Sequence, residues 1–395
     1  MGTAAGAAGL AGSAVLRPAD ATAATGDGVT DWINAVLQYG ADPSGADDST
    51  TAIQSALNAA PAGGVVYLPT GTYTTSAGLI IPANVMLLGS GGTWGVPADD
   101  YGKGGLPVTG SVVVPAASFS GAAVIQMATP AAGVQGGGQQ VRSIAIDASS
   151  MTAGNGVHGI QAAGYVGAVK LRDVLVYGGR SGTTRLLGGN GLDIRNDGTT
   201  GHNPDQWDIA HCKFTSCGGW GASLITLADS HIANTDFTGN VSGGATITNS
   251  ANTKLVSCGA ENNTRGPGFA WDSVSGSDIV MFDNCETQFN NYDGWLFSGS
   301  NSGWVIMLGN CRSIQDGQAG GASYGALRAT GCGSLILATQ FVALANSIGP
   351  YYGAREESGS YGVVLTASRL AAVHAAVSDD GSNTHALTSQ IEISI

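Results

Sequence analysis

The chain has 395 residues, 63 of them glycine, more than twice the usual share of about 7%. Only 11% of its residues are charged, 43% are hydrophobic and the formal net charge is −13. This composition excludes collagen, which needs a Gly-X-Y period, and it excludes nucleic acid and anionic membranes as partners, because no Lys/Arg cluster offers a phosphate-binding surface. No apolar run reaches the ~18 residues of a membrane span. The six cysteines (212, 217, 258, 285, 311, 332) are too sparse for a disulfide scaffold and lack zinc spacing, so they read as buried free thiols, with no metal or cofactor expected.

In chain order, Met1 to Thr25 is an Ala/Gly/Leu stretch followed by a small-residue site, the hydrophobic and cleavage regions of an export signal without its basic start. Residues 1–28 are therefore set outside the fold, and the protein is expected to be secreted by a bacterium. Asp48 or Ser49 then caps a helix in which Ile53, Ala56, Leu57 and Ala60 share one face, ending at Pro61 and Gly63-Gly64. Strands are predicted at Val65–Leu68, up to Leu79–Ile81 after the Pro69-Thr70-Gly71 turn, and at Val85–Gly89.

These segments, YGADPSGADDSTTAIQSALNAA, GGVVYLPTGTY and IPANVMLLGSG, resemble the start of the pectate-lyase-like right-handed parallel β-helix proteins, which include polygalacturonase-related hydrolases, pectate lyases, fructotransferases and phage tailspikes. The resemblance implies an all-β solenoid over about residues 29–345, with the helix capping its N-terminal end. It also implies that a homotrimer is allowed, since β-helix fructotransferases and tailspikes are typically trimers.

A solenoid must repeat every 20 to 50 residues. Five segments do so: His211–Thr215, Asn234–Thr238, Ser257–Glu261, Asn284–Gln288 and Asn310–Ile314. Their second positions are Cys212, Thr235, Cys258, Cys285 and Cys311, at spacings of 23, 23, 27 and 26. Period-2 alternation sends this column inward, together with Phe214, Phe237, Ala260, Thr287 and Ser313. Ser143–Asp147 and Asp173–Tyr177 fit the same frame.

One outward column then reads Ala145, Leu175, Lys213, Asp236, Gly259, Glu286, Arg312, and the next Asp147, Tyr177, Thr215, Thr238, Glu261, Gln288, Ile314. Coils repeat at ~4.8 Å and residues i and i+2 lie ~6.6 Å apart, so the Cα atoms of Asp236, Glu261 and Glu286 step by about 8 Å. Three carboxylates thus sit between Lys213 and Arg312. That set suits glycosidic-bond cleavage, in which one carboxylic acid protonates the leaving oxygen and another acts as base or nucleophile, and the spacing leans towards inversion. Asp236, Glu261 and Glu286 are the candidate catalytic residues, with Lys213 and Arg312 binding substrate. The competing reading is a solvated sheet whose charges pair across coils.

Asn234-Thr235-Asp236 also resembles the NTD motif of polygalacturonase-type hydrolases, but that family's Asp-Asp, Gly-His-Gly and Arg-Ile-Lys motifs are missing. His202, Asp205 and Trp207 lie in a predicted long loop and are further candidate substrate contacts. Gly188–Asp193 begins like a calcium-binding nonapeptide but occurs once, with Arg195 at the large apolar position. Trp220, Trp271, Trp295 and Trp304 recur near corners, where a ring either packs or stacks on a sugar. An acidic groove repels polyuronates, so an oligo- or polysaccharide without acid groups is the expected partner. Hydrolysis or intramolecular glycosyl transfer leads, a lyase using Lys213, Arg312 or Tyr177 as base is an alternative, and a non-catalytic glycan-binding or tailspike-like protein is the third. Residues 346–395 are read as a capping or oligomerisation segment, with strands at Tyr361–Thr366 and Gln390–Ile395.

Overall fold

The computed structural model describes residues 31–91, 108–131, 134, 136–196, 203–273, 279–300, 305–320, 323–379 and 392–394. The proposed export signal, His202 and Trp304 lie outside these residues.

The described chain winds as a right-handed parallel β-helix with three strand columns. Sheet A holds 12 parallel strands, from Trp32–Asn34 to Gly362–Thr366. Sheets B and C are two columns of a 22-stranded set, joined where the long strands Gly71–Ile81 and Ser111–Met127 bend through shifts of register. Sheet B continues through Ile144–Asp147, Leu175–Tyr177, Lys213–Thr215, Asp236–Thr238, Gly259–Glu261, Glu286–Gln288 and Arg312–Ile314 to Glu392–Ser394. Sheet C continues through His158–Ala163, Leu192–Arg195 and Trp220–Ile225 to Ala375–Asp379.

Alternation fills the interior as expected. Val174, Cys212, Thr235, Cys258, Cys285 and Cys311 stack inward, each no more than 2% exposed. Their thiols are free and hydrogen-bond to carbonyls of the chain, as Cys212 Sγ does to Ala210 O at 3.3 Å. Burial pushes the Cys212 thiol up to about 12, so no nucleophilic thiolate forms there near neutral pH. Beside the sulfurs run aromatic contacts: Phe214 stacks on Phe237 at 5.8 Å, and Phe269 meets Trp295 at 4.8 Å.

The corners explain the asparagine content. Between sheets A and B nine successive coils, from the strand Gln140–Arg142 onward, turn on one residue in the left-handed region, with φ between 47° and 55°: Ser143, Asp173, His211, Asn234, Ser257, Asn284, Asn310, Gln340 and Ala367. Asparagine, aspartate and histidine tolerate this conformation best among non-glycine residues. Asn234-Thr235-Asp236 is therefore a corner, an inward rung and an outward residue, the same grammar as Asn284-Cys285-Glu286. Between sheets B and C an internal ladder forms as well. The N–H groups of Cys217, Asn240, Asn263 and Asn290 donate to the side-chain oxygens of Asn240, Asn263, Asn290 and Asp316 at 3.0, 3.0, 3.1 and 2.9 Å. These rungs satisfy buried amides that no strand pairs.

The N-terminal end carries two helices rather than the single one predicted. Helix α1 (Ala35–Tyr39) is capped by Asn34 Oδ1 and closed by Gly40 at φ 74°, and α2 (Thr50–Ala59) buries Ile53, Ala56 and Leu57. Of the two predicted caps of α2, Asp48 Oδ1 accepts from Thr50 N at 2.9 Å, while Ser49 Oγ accepts from Asp42 N instead. The solenoid also runs past residue 345, through Tyr352–Glu356, Gly362–Thr366 and Arg369–Ala371, so Asn346 onward adds coils rather than only a cap. The inner column changes there from Cys311 to Phe341 and Ser368, which erases the repeat in sequence.

Candidate functional site

The outward column of sheet B pairs Leu175 with Lys213, Lys213 with Asp236, Asp236 with Gly259, Gly259 with Glu286 and Glu286 with Arg312. The parallel column two residues on pairs Thr238 with Glu261 and Glu261 with Gln288. Parallel registry thus brings the three predicted carboxylates to one face. Arg312 Nε donates to Glu286 Oε2, and Lys213 faces Asp236.

Gly259 leaves a notch at the centre of this face. A Cβ placed there would stand 3.0 Å from Asp236 Oδ1 and 3.8 Å from Glu261 Oε1. The sum of those two legs caps the separation of the two oxygens at 6.8 Å. That is less than the ~8 Å backbone step, because both side chains lean over the glycine. Asp236 is open to solvent, yet the protein around it raises its pKa by desolvation, with Lys213 opposing and Glu286 reinforcing the rise.

A groove of about 440 Å³ adjoins this face, lined by Asp173, His211, Cys212, Asn234 and Asp236. On the other side the chain leaves the solenoid as an antiparallel hairpin, Arg180–Ser181 with Thr184–Arg185, and Arg185 Nη2 donates to Gly239 O, two coils on. Tyr177, Thr215 and Thr238 point outward but are buried beneath this side of the sheet, a departure from the alternation pattern. The groove and the hairpin went unread in the sequence; the only signals were left-handed-prone residues at the corner and the Arg-Ser-Gly-Thr-Thr-Arg turn.

Other candidates fall elsewhere. Trp207 is 1% exposed, with Nε1 donating to Val166 O at 2.9 Å, so it is a core residue and has no face for a sugar. Asp205 sits at the corner between sheets C and A, bridged to Ala228, and does not join the sheet B face. Trp271 and Trp295 are buried in the core, while Trp220 lies half-buried against Gly243. The Asp193 carboxylate of the calcium-like segment accepts from Arg195 Nε at 2.7 Å, Gln161 Nε2 at 3.1 Å and Asn190 Nδ2 at 2.9 Å. Among the described residues no group of three His, Cys, Asp or Glu side chains is placed to hold a metal ion.

The profile of the rhamnogalacturonase A/epimerase, pectate lyase-like family matches residues 32–269, more than half of the chain. The chain belongs to this family. No curated protein matches it in sequence. Solved structures share its fold at low identity. DFA-IIIase from Arthrobacter chlorophenolicus A6 is 16% identical with a TM-score of 0.64, over 92% of each chain. The Azotobacter vinelandii mannuronan C-5 epimerase AlgE4 A-module is 15% identical with a TM-score of 0.57, over 92% of this chain and all of that one. The gp42 tailspike of an Acinetobacter phage is 12% identical with a TM-score of 0.62, over 92% of this chain and 63% of that one.

Proposed function

We propose that the protein is a carbohydrate-active enzyme that breaks glycosidic bonds, by hydrolysis or intramolecular transfer, at the Asp236–Glu261 pair. The observation that carries this reading is the convergence of the two carboxylates on the Gly259 notch, within 6.8 Å of each other. Asp236, its pKa raised, is suited to hold a proton for the leaving oxygen. As the bond between the anomeric carbon and that oxygen breaks, its electron pair goes to the oxygen with the proton from Asp236. Glu261 then either attacks the anomeric carbon or takes a proton from attacking water. The 6.8 Å ceiling on this oxygen pair admits both the ~5–5.5 Å of retention and the lower part of the ~6.5–9.5 Å of inversion. Arg312 holds Glu286 at the next coil, where it orients substrate.

The similar structures of DFA-IIIase and of a mannuronan C-5 epimerase support a role in carbohydrate processing. A lyase or epimerase needs a cation free to meet the uronate carboxylate, whereas Lys213 and Arg312 here each face a carboxylate of the protein. The test is a glycan panel read for new reducing ends and for the 235 nm absorbance of lyase products, followed by Asp236→Asn and Glu261→Gln. Each variant should lose about 10²- to 10⁴-fold in rate. Retention of more than about a tenth of the activity by both would reduce the face to a solvated sheet.

A further inference from the structure

Asp173, His211 and Asn234 occupy the same left-handed corner in three successive coils, at φ 54°, 53° and 47°. Each N–H at this corner is tied to the next coil: Asp173 N to Ala210 O at 3.2 Å, His211 N to Ala233 O at 3.1 Å and Asn234 N to Val256 O at 3.0 Å. The backbone is therefore fixed, and the three side chains stand in a row at the ~4.8 Å coil repeat. All three are exposed. The imidazole lies between its two neighbours. Asn234 Nδ2 lies 3.4 Å from His211 Nε2. Nδ1 faces Asp173 Oδ1 at 3.8 Å. With Asp236 these side chains line one groove of about 440 Å³.

We propose that this corner is a subsite for one neutral sugar ring of the glycan, beside the Asp236–Glu261 pair, so that the chain lies along the edge of sheet B rather than across its middle. The proposal rests on the function proposed above. An amide, an imidazole and a carboxylate supply donors and acceptors suited to sugar hydroxyls. The charges choose the class. The groove is lined by the carboxylates of Asp173 and Asp236; of the cations nearby, Arg172 Nη2 bonds Asp208 Oδ2 at 2.5 Å, and Lys213 stands in register with Asp236. A uronate would bring a third negative charge into this groove.

The experiment is affinity electrophoresis of the full chain in gels containing inulin, dextran or arabinoxylan as neutral probes and polygalacturonate as the anionic probe. Wild type, His211→Ala, Asp173→Asn, Asn234→Ala and Asp236→Asn are run together, each checked for an unchanged melting midpoint. Retardation of wild type by at least one neutral probe is expected, weakened about tenfold by His211→Ala and by Asn234→Ala or Asp173→Asn. Retardation by polygalacturonate alone, by no probe, or equally in every folded corner variant overturns the subsite. The two readings fail separately. Corner-dependent binding with no turnover of any probe leaves the subsite standing and defeats the enzyme, whereas turnover abolished by Asp236→Asn with KM unmoved by the corner variants does the reverse.

Discussion

The internal ladder ends on an aspartate rather than an asparagine, and that one atom change has a measurable consequence. Asp316 is fully buried; its Oδ1 accepts from Asn290 N at 2.9 Å and Asn290 Nδ2 at 2.8 Å, and its Oδ2 accepts from the hydroxyls of Thr287, at 2.7 Å, and Ser313. Burial outweighs these four donors and raises its pKa from 3.8 to about 6. The folded state therefore binds a proton that the unfolded chain has released between those values. The stabilising contribution is complete below pH 3.8 and is lost as pH rises through about 6. Two units correspond to about 3 kcal/mol. Asp316→Asn keeps an acceptor for Asn290 and turns the two hydroxyls from donors into acceptors, so the geometry survives without the charge. At pH 7.5 this variant should be more stable than wild type by up to about 3 kcal/mol, or roughly 4 °C at ~2.1 cal/mol/K of unfolding entropy per residue. At pH 4 the gap should close. The assay is the midpoint difference between variant and wild type across pH 4 to 8, which cancels the titration of every other group. A difference that is flat with pH, or a variant less stable at pH 7.5, would show that the four donors welcome the anion and that the desolvation argument is wrong.

Two further outcomes test the interior. Alkylation of the native protein followed by mass spectrometry should leave Cys212, Cys258, Cys285 and Cys311 unlabelled, since all four are no more than 2% exposed; rapid labelling of any two would mean that the strand register is displaced. Asn263→Ala removes the acceptor for Asn240 N and the donor to Phe237 O at 3.2 Å, and should cost about 2 to 4 kcal/mol in denaturant unfolding, with a cost under ~0.5 kcal/mol contradicting the ladder.

The sequence disclosed those features that repeat with a fixed residue type. The column of Cys212, Thr235, Cys258, Cys285 and Cys311 announced the coil period, and alternation from it placed Lys213, Asp236, Gly259, Glu286 and Arg312 on one outward ladder, in the register the strands adopt. What escaped was set by three-dimensional cover rather than by alternation. Thr215 and Thr238 hold outward positions yet are buried, which a period-2 rule does not anticipate. Trp207 sits next to a loop in sequence, and only the fold turns its indole into the core. Corner residues carry a further ambiguity: Asn234 and His211 are explained as left-handed turns whether or not they also meet a ligand. The coils beyond residue 345 were missed because Phe341 and Ser368 replace cysteine on the same inner rung.

Structure and candidate chemistry are separable in this molecule for a geometric reason. In a solenoid each coil contacts only its neighbours, and each strand position belongs either to the inner ladders or to an outward column. Inner rungs are constrained by volume and by buried hydrogen bonds; an outward residue such as Asp236 or Glu261 is constrained by neither, so its identity can vary at little cost to the fold. The chain carries 43 charged residues in 395, yet four of the five consecutive outward positions from Lys213 to Arg312 are charged, and the fifth is the glycine that opens the notch. A stability requirement does not select such a run, since exposed pairs between neighbouring coils contribute only ~0 to 1 kcal/mol each and salt screens them. Two carboxylates converging over the glycine of that run, one of them with a raised pKa, accord instead with the bond-breaking site proposed above. Because the interior does not depend on these side chains, their conservative replacement leaves the solenoid intact, and a loss of turnover in such variants reports on chemistry rather than on folding.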